Sequence, residues 1–223
     1  MRLRGCRILT TILGVFLLAI AGASPIPFDS ESHALYSVGS PSGIEVDVYL
    51  DLTCSDCALA WPTVEQAIDL YNERVKFSFR LFPLPYHQNA FTAAKAAQVV
   101  KAWVSEAREV ESFLTRVFRD QSDVLNGATR EKTQPEIEAI FSAWAQEETG
   151  ISAALFQSGI ENSELELRTR YQFKYSALHG VFGTPIVYVG GILSESLSTG
   201  TATLETWERV LDALIQDQNP TNI

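Results

Sequence analysis

The sequence predicts an α/β fold in which a β-α-β unit and a β-β-α unit are separated by an all-helical block. Three patterns carry that reading. Apolar residues alternate with a period of two around positions 44–50 and 75–81, and a stretch of helical spacing lies between them. From Asn89 to about His179 the apolar residues recur almost throughout at helical spacing. Strand character then returns at Ile186-Val187-Tyr188-Val189, followed by a Gly-Gly turn and a final amphipathic segment.

The first residues read as a processing signal rather than as part of the fold. Arg2, Arg4 and Arg7 form a basic stretch ahead of an apolar run from Ile8 to Ile20, which is too short to span a bilayer comfortably. Ala21-Gly22-Ala23 has the small-x-small cleavage pattern, so residues 1–23 are expected to be a signal peptide. An uncleaved signal anchor is the alternative. Cys6 precedes the apolar run and leaves with the leader. Loss of the three leader arginines makes a chain of formal net charge −10 still more acidic. An acidic body argues against nucleic acid and against anionic membrane surfaces as partners. The expected location is the secretory pathway or the extracellular space, with the endoplasmic reticulum lumen and a bacterial periplasm both open. No KDEL-type signal ends the chain.

Residues 24–33 are polar and contain proline, a loose lead-in. A short strand is expected over Leu35 to Val38, ended by the turn cluster Gly39-Ser40-Pro41-Ser42-Gly43. Ile44, Val46, Val48 and Leu50 alternate with Glu45, Asp47 and Tyr49, which predicts the next strand. Ala58, Trp61, Val64, Ala67, Ile68 and Tyr71 then mark a helix running to about Asn72, with Pro62 inside it as an expected kink. Val75, Phe77, Phe79 and Leu81 mark a second buried strand, and a right-handed crossover joins the two. In the helical block, Val110, Phe113, Leu114, Val117 and Phe118 make one apolar face. Ile137, Ile140, Phe141 and Trp144 make another, opened by Thr133 and Glu136 at capping-box spacing. These stripes read as core packing. After Gly190-Gly191, Leu204, Trp207, Val210, Leu211, Leu214 and Ile215 form a terminal helix.

Cys54-Ser55-Asp56-Cys57 joins the strand at 44–50 to the helix after it, and these are the only cysteines beyond the leader. Cys54 falls at a helix N-terminus, where unpaired N–H groups and the positive end of the dipole favour a thiolate. Cys57 lies one turn further in, close enough to close a disulfide with Cys54. That arrangement suits reversible thiol–disulfide chemistry, and export would place it where disulfides are permitted. A static disulfide and half of a zinc site are the other readings. A bridge closing so small a loop would stabilise little, and zinc wants four ligands where no second CxxC exists.

Gly183-Thr184-Pro185 introduces the third strand, an unusual place to lose a backbone donor. With the strand–CxxC–helix, Pro62 five residues beyond Cys57, and the hairpin turning on Gly190-Gly191, the chain resembles the thioredoxin superfamily. The fold this implies is the thioredoxin fold. The resemblance further implies that Pro185 is a cis-proline against the disulfide and that the Thr184 backbone pairs with an extended peptide substrate. Between Cys57 and Pro185 lie 127 residues, far more than a compact thioredoxin has, which resembles the DsbA-like thiol oxidoreductases with their inserted helical domain. Tyr49-Leu50-Asp51-Leu52-Thr53-Cys54 and Phe82-Pro83-Leu84-Pro85-Tyr86-His87-Gln88-Asn89-Ala90 add to that likeness. The expected organisation is residues 24–88 as the first half of the thioredoxin-like domain, 89–179 as the helical insertion, 180–218 as the second half, and 219–223 as a tail.

The superfamily often buries an acid six residues before the first cysteine, but here that position is Val48. Asp47 should point to the opposite strand face, which leaves Asp51 as the better candidate for proton handling. An Asp at a strand end also commonly caps a turn. His87 is a further candidate, from the loop after the second of these strands. Asp56 is expected to tune the site: a carboxylate near the Cys54 thiolate repels it and raises its pKa, so the pair is not expected to be a very strong oxidant.

These residues together point to a protein disulfide oxidoreductase with Cys54 as nucleophile and Cys57 as resolving thiol. It would act on cysteine-containing proteins or peptides and need a redox partner, but no bound cofactor or metal, and no membrane once the signal is cleaved. A non-catalytic thioredoxin-fold peptide binder or chaperone is one alternative. A glutathione-dependent transferase or isomerase of the same fold is another, although such enzymes usually need only one catalytic residue, which weighs against them here.

Overall fold

A computed structural model describes residues 33–217. The signal peptide expected at 1–23, most of the lead-in and the tail at 219–223 lie outside the described residues. The sheet is built from β1 (Tyr36–Gly39), β2 (Ile44–Leu50), β3 (Val75–Leu81), β4 (Ile186–Val189) and β5 (Ile192–Leu193), in the spatial order β1-β3-β2-β4-β5. β2 and β3 run parallel, with Val48 opposite Phe79, and α1 (Ser55–Tyr71) makes the crossover between them. β4 lies antiparallel on the other side of β2, with Val48 opposite Val187. The strand that ends at the cysteines is therefore the central one.

That central position alters the burial pattern expected of β2. Alternation holds at its start, but Val48, Tyr49 and Leu50 are all buried because layers cover both faces of the sheet. One layer includes α1 and α7 (Leu204–Asp217). Trp61 meets Phe79 edge-on at 5.6 Å between ring centroids, and Trp207 meets Phe77 at 6.2 Å. On the opposite face the Arg80 guanidinium lies between the Tyr49 and Tyr175 rings and pairs with Asp47. Asp47 thus points away from the Phe77 and Phe79 side, as the strand period requires.

The β4–β5 connection is a two-residue hairpin, with φ of 57° at Gly190 and 78° at Gly191. Two successive left-handed residues make the turn whose twist matches paired strands, and two glycines supply it without Cβ strain.

Five α-helices separate β3 from β4: α2 (Ala90–Trp103), α3 (Ala107–Arg119), α4 (Gln134–Thr149), α5 (Ala153–Ile160) and α6 (Ser163–Leu178), with a 3-10 turn at Gln121–Val124. α2 is alanine-rich, with Ala93, Ala94, Ala96 and Ala97 all buried, so its neighbours approach closely. The capping box expected at α4 is formed: Thr133 Oγ1 and N–H both donate to Glu136. The block is attached to the sheet on both faces. Phe118 of α3 packs on Trp61 at 5.3 Å, and Phe173 of α6 stacks on Phe82 at 4.9 Å. α1 continues unbroken through Pro62.

Candidate active site

β2 ends at Leu50, and the chain turns through residues 51–53 before Cys54 takes the N-cap position of α1. Cys54 has extended backbone (φ −86°, ψ 125°), with its N–H bonded to the Asp51 carbonyl at 3.0 Å. No side chain caps the helix, so its first-turn N–H groups are free to face the Cys54 sulfur. Cys54 keeps 6% of its surface open to solvent, whereas Cys57 keeps none. The two are present as free thiols.

This environment separates the two sulfurs chemically. The Cys54 thiol is pushed down to about 6, chiefly because the Cys57 thiol donates a hydrogen bond to it. Burial opposes that shift, while hydrogen bonds from Thr184 and from the backbone N–H groups of Cys57 and Asp56 add to it. Cys57 is raised well above the ordinary thiol range, first by burial and then by its hydrogen bond to Cys54 and the negative charge there. A low-pKa sulfur with a small opening to solvent, beside a fully buried high-pKa sulfur, is an arrangement suited to an attacking and a resolving thiol.

The loop before β4 completes the site. Thr184-Pro185 is a cis peptide bond, and the Cys54 thiol donates to the Thr184 carbonyl at 3.4 Å. The Thr184 hydroxyl is buried without a hydrogen-bond partner, and its proximity to the two sulfurs favours their charged forms.

The acids and the histidine are arranged differently from the sequence expectation. Asp51 is almost fully buried, and its carboxylate is occupied on both oxygens. One accepts from the Thr53 N–H and hydroxyl at 2.8 and 2.7 Å; the other accepts from the Leu84 N–H at 3.0 Å and from His87 Nδ1 at 2.7 Å. Asp51 meets Cys57 only through its backbone N–H, 3.5 Å from the sulfur. The carboxylate therefore ties the β2 turn to the loop after β3, the capping role open to any strand-end Asp. His87 is spent on Asp51. Its ring also lines a separate cavity of about 500 Å³ with Pro85, Phe91 and Phe173, which neither cysteine reaches.

Asp56 likewise departs from expectation. Its side chain is exposed, and its backbone N–H is one of the groups that lower Cys54. On balance the Cys54 thiolate is stabilised and not weakened, first by Cys57, then by Thr184 and the first-turn backbone donors. Gly200 packs directly on this residue: a Cβ at position 200 would lie 2.8 Å from the Asp56 carbonyl oxygen.

Two contributors escaped the sequence reading. The sequence points to the Thr184 backbone and not to its hydroxyl. Gln121, buried in the 3-10 turn, donates from Nε2 to the carbonyls of Leu52 at 2.9 Å and Cys54 at 3.0 Å. No local pattern marks a residue whose partners lie 69 and 67 positions away. Among the described residues, no three His, Cys, Asp or Glu side chains gather as a metal-ligand group, and no helix is long and apolar enough to cross a membrane.

Among solved structures the fold has several relatives of low sequence identity. Chlamydia trachomatis DsbA superposes with a TM-score of 0.66 at 17% identity, covering 88% of this chain and 96% of that one. Bacillus subtilis BdbD gives 0.65 at 15% identity, covering 84% and 95%. MdbA, a thiol-disulfide oxidoreductase from Actinomyces oris, gives 0.62 at 18% identity, covering 82% and 86%. No curated protein sequence matches significantly. The thioredoxin family model matches residues 35–213, a span that takes in the CxxC turn, the whole helical block and the cis-proline loop. The chain belongs to the thioredoxin family, with the helix-inserted fold of the DsbA-like oxidoreductases.

Proposed function

We propose that this chain is an exported thiol–disulfide oxidoreductase that acts on cysteine-containing proteins or peptides through a reversible Cys54–Cys57 disulfide. The observation that carries the reading is the division between the two sulfurs. Cys54 reaches solvent with its thiol near 6, and Cys57 lies beneath it with its thiol raised. The likeness in fold to DsbA, BdbD and MdbA supports it.

In the oxidising direction, a substrate thiolate attacks the Cys54 sulfur of the disulfide. The Cys54–Cys57 bond breaks, and Cys57 leaves as a thiolate that takes up a proton. A second substrate thiolate then attacks the substrate sulfur of the mixed disulfide and expels Cys54. The substrate has lost two electrons and the pair has gained them. A leaving thiol of low pKa departs quickly, so the depressed Cys54 value assists this second step. In the reducing direction, Cys54 attacks a substrate disulfide and Cys57 resolves the intermediate after losing its proton. Thr184 presents main-chain groups to an extended substrate, with Pro185 beside the sulfurs. A redox partner resets the pair, and the leader directs export.

Alkylation of the reduced, native protein tests this division. Cys54 should react with a midpoint near pH 6. It is charged above that value and protonated below it, so reactivity falls as pH drops through the midpoint. Cys57 should stay protected across the same range. Equal reaction of the two cysteines, or a Cys54 midpoint at the unperturbed value of about 8.5, would contradict the assignment.

A further inference from the structure

We infer that Gln121 is a positioning residue for the nucleophilic thiolate, through which the inserted helical block fixes the backbone of the CxxC turn. The inference rests on the redox reading above and extends it to a residue outside the thioredoxin-like halves.

The geometry is specific. Gln121 opens the 3-10 turn Gln121–Val124 after α3 and is 6% exposed. A primary amide has two hydrogens, and Gln121 directs its Nε2 at two carbonyls two residues apart, those of Leu52 and Cys54. The Cys54 carbonyl is the N-cap oxygen, which also accepts the first helical bond from the Ala58 N–H at 3.1 Å. Gln121 therefore grips the junction between the turn and α1. The 3-10 turn is itself pinned: Asn89, at the start of α2, donates to the Val124 carbonyl at 2.8 Å and to Thr129 Oγ1 at 2.7 Å.

The link to chemistry follows from how the Cys54 thiolate is stabilised. The largest stabilising contributions come from the Cys57 hydrogen bond, then from Thr184 and two backbone N–H groups. Hydrogen bonds weaken steeply with distance and angle. Whatever holds residues 52–57 in place therefore sets how strongly those donors act. Gln121 also brings the positive ends of its N–H dipoles to carbonyls next to the developing charge. A side chain that merely filled space would have no reason to direct its amide at both carbonyls.

The test is the pH profile of Cys54 alkylation alongside the melting temperature, for the full chain and four variants. Gln121→Met keeps the shape and loses the donor. Gln121→Glu, when ionised, turns an acceptor towards two carbonyls. Both should move the Cys54 midpoint upward by about one pH unit, an approximately fivefold loss of rate at pH 6 with little change at pH 9. Gln121→Asn keeps an amide on a shorter arm and should give a smaller shift in the same direction, and it serves if the other two fail to fold. Val124→Ala, in the same turn and fully buried, should lower the melting temperature and leave the midpoint in place. If the Gln121 variants lose stability like Val124→Ala but keep the wild-type profile, the positioning role is overturned. A wild-type profile with no midpoint near 6 overturns the redox reading instead, so the two failures are distinct.

Discussion

Cys57→Ser should accumulate mixed disulfides with substrate proteins, Cys54→Ser should accumulate none, and both should lose turnover to background. The asymmetry follows from access. Cys54 has open surface and a stabilised thiolate, so it can form the intermolecular bond even without its neighbour. Cys57 is fully buried with a raised pKa, so once Cys54 is gone it offers neither access nor a nucleophile. Cys57→Ser keeps a hydroxyl donor where the Cys57 thiol donates to Cys54, so Cys54 should remain reactive near neutral pH. Non-reducing gels of the two variants with a reduced or scrambled protein substrate, followed by mass spectrometry of the adducts, check this. Adducts on Cys57 in the Cys54→Ser variant would reverse the roles.

The largest stability effect should come from Asp51, not from either cysteine. Asp51→Ala removes a buried carboxylate that accepts four hydrogen bonds and leaves the Thr53 and Leu84 N–H groups with no acceptor. Breaking such a buried charged network costs about 3–5 kcal/mol. Asp51→Asn keeps one oxygen but turns an NH2 group towards donors, so it should lose about half as much. Urea denaturation of the oxidised protein measures both. A loss under about 1 kcal/mol for Asp51→Ala would mean that the turn before Cys54 is held by other contacts.

Much of the frame was legible because its signals are local. The period-two alternation at 44–50 and 75–81 found β2 and β3 to the residue, and Gly190-Gly191 located the hairpin because few other residues accept two positive φ angles in succession. The Thr133–Glu136 spacing likewise marked the start of α4. Within the site, the placement of Cys54 at the start of α1 and of Cys57 in its first turn could be read from the strand–CxxC–helix order alone. The acids could not. Whether Asp51 faces a sulfur or a turn depends on Leu84 and His87, which arrive from the far end of β3. Asp56 acts on Cys54 through its backbone N–H, a contribution that any residue at that helix position supplies and that its carboxylate does not signal. Gln121 left no trace in the sequence, since its role comes wholly from the packing of the helical block against the turn.

An equilibrium redox titration of the Cys54–Cys57 pair against glutathione and dithiothreitol buffers tests the central claim most directly. A Cys54 pKa near 6 falls between those of DsbA, about 3.5, and thioredoxin, about 7. The account therefore predicts a reversible two-electron transition between their potentials of about −120 and −270 mV, nearer the lower one. A potential below about −300 mV, the range of structural disulfides, would make the pair a static bridge and contradict the account.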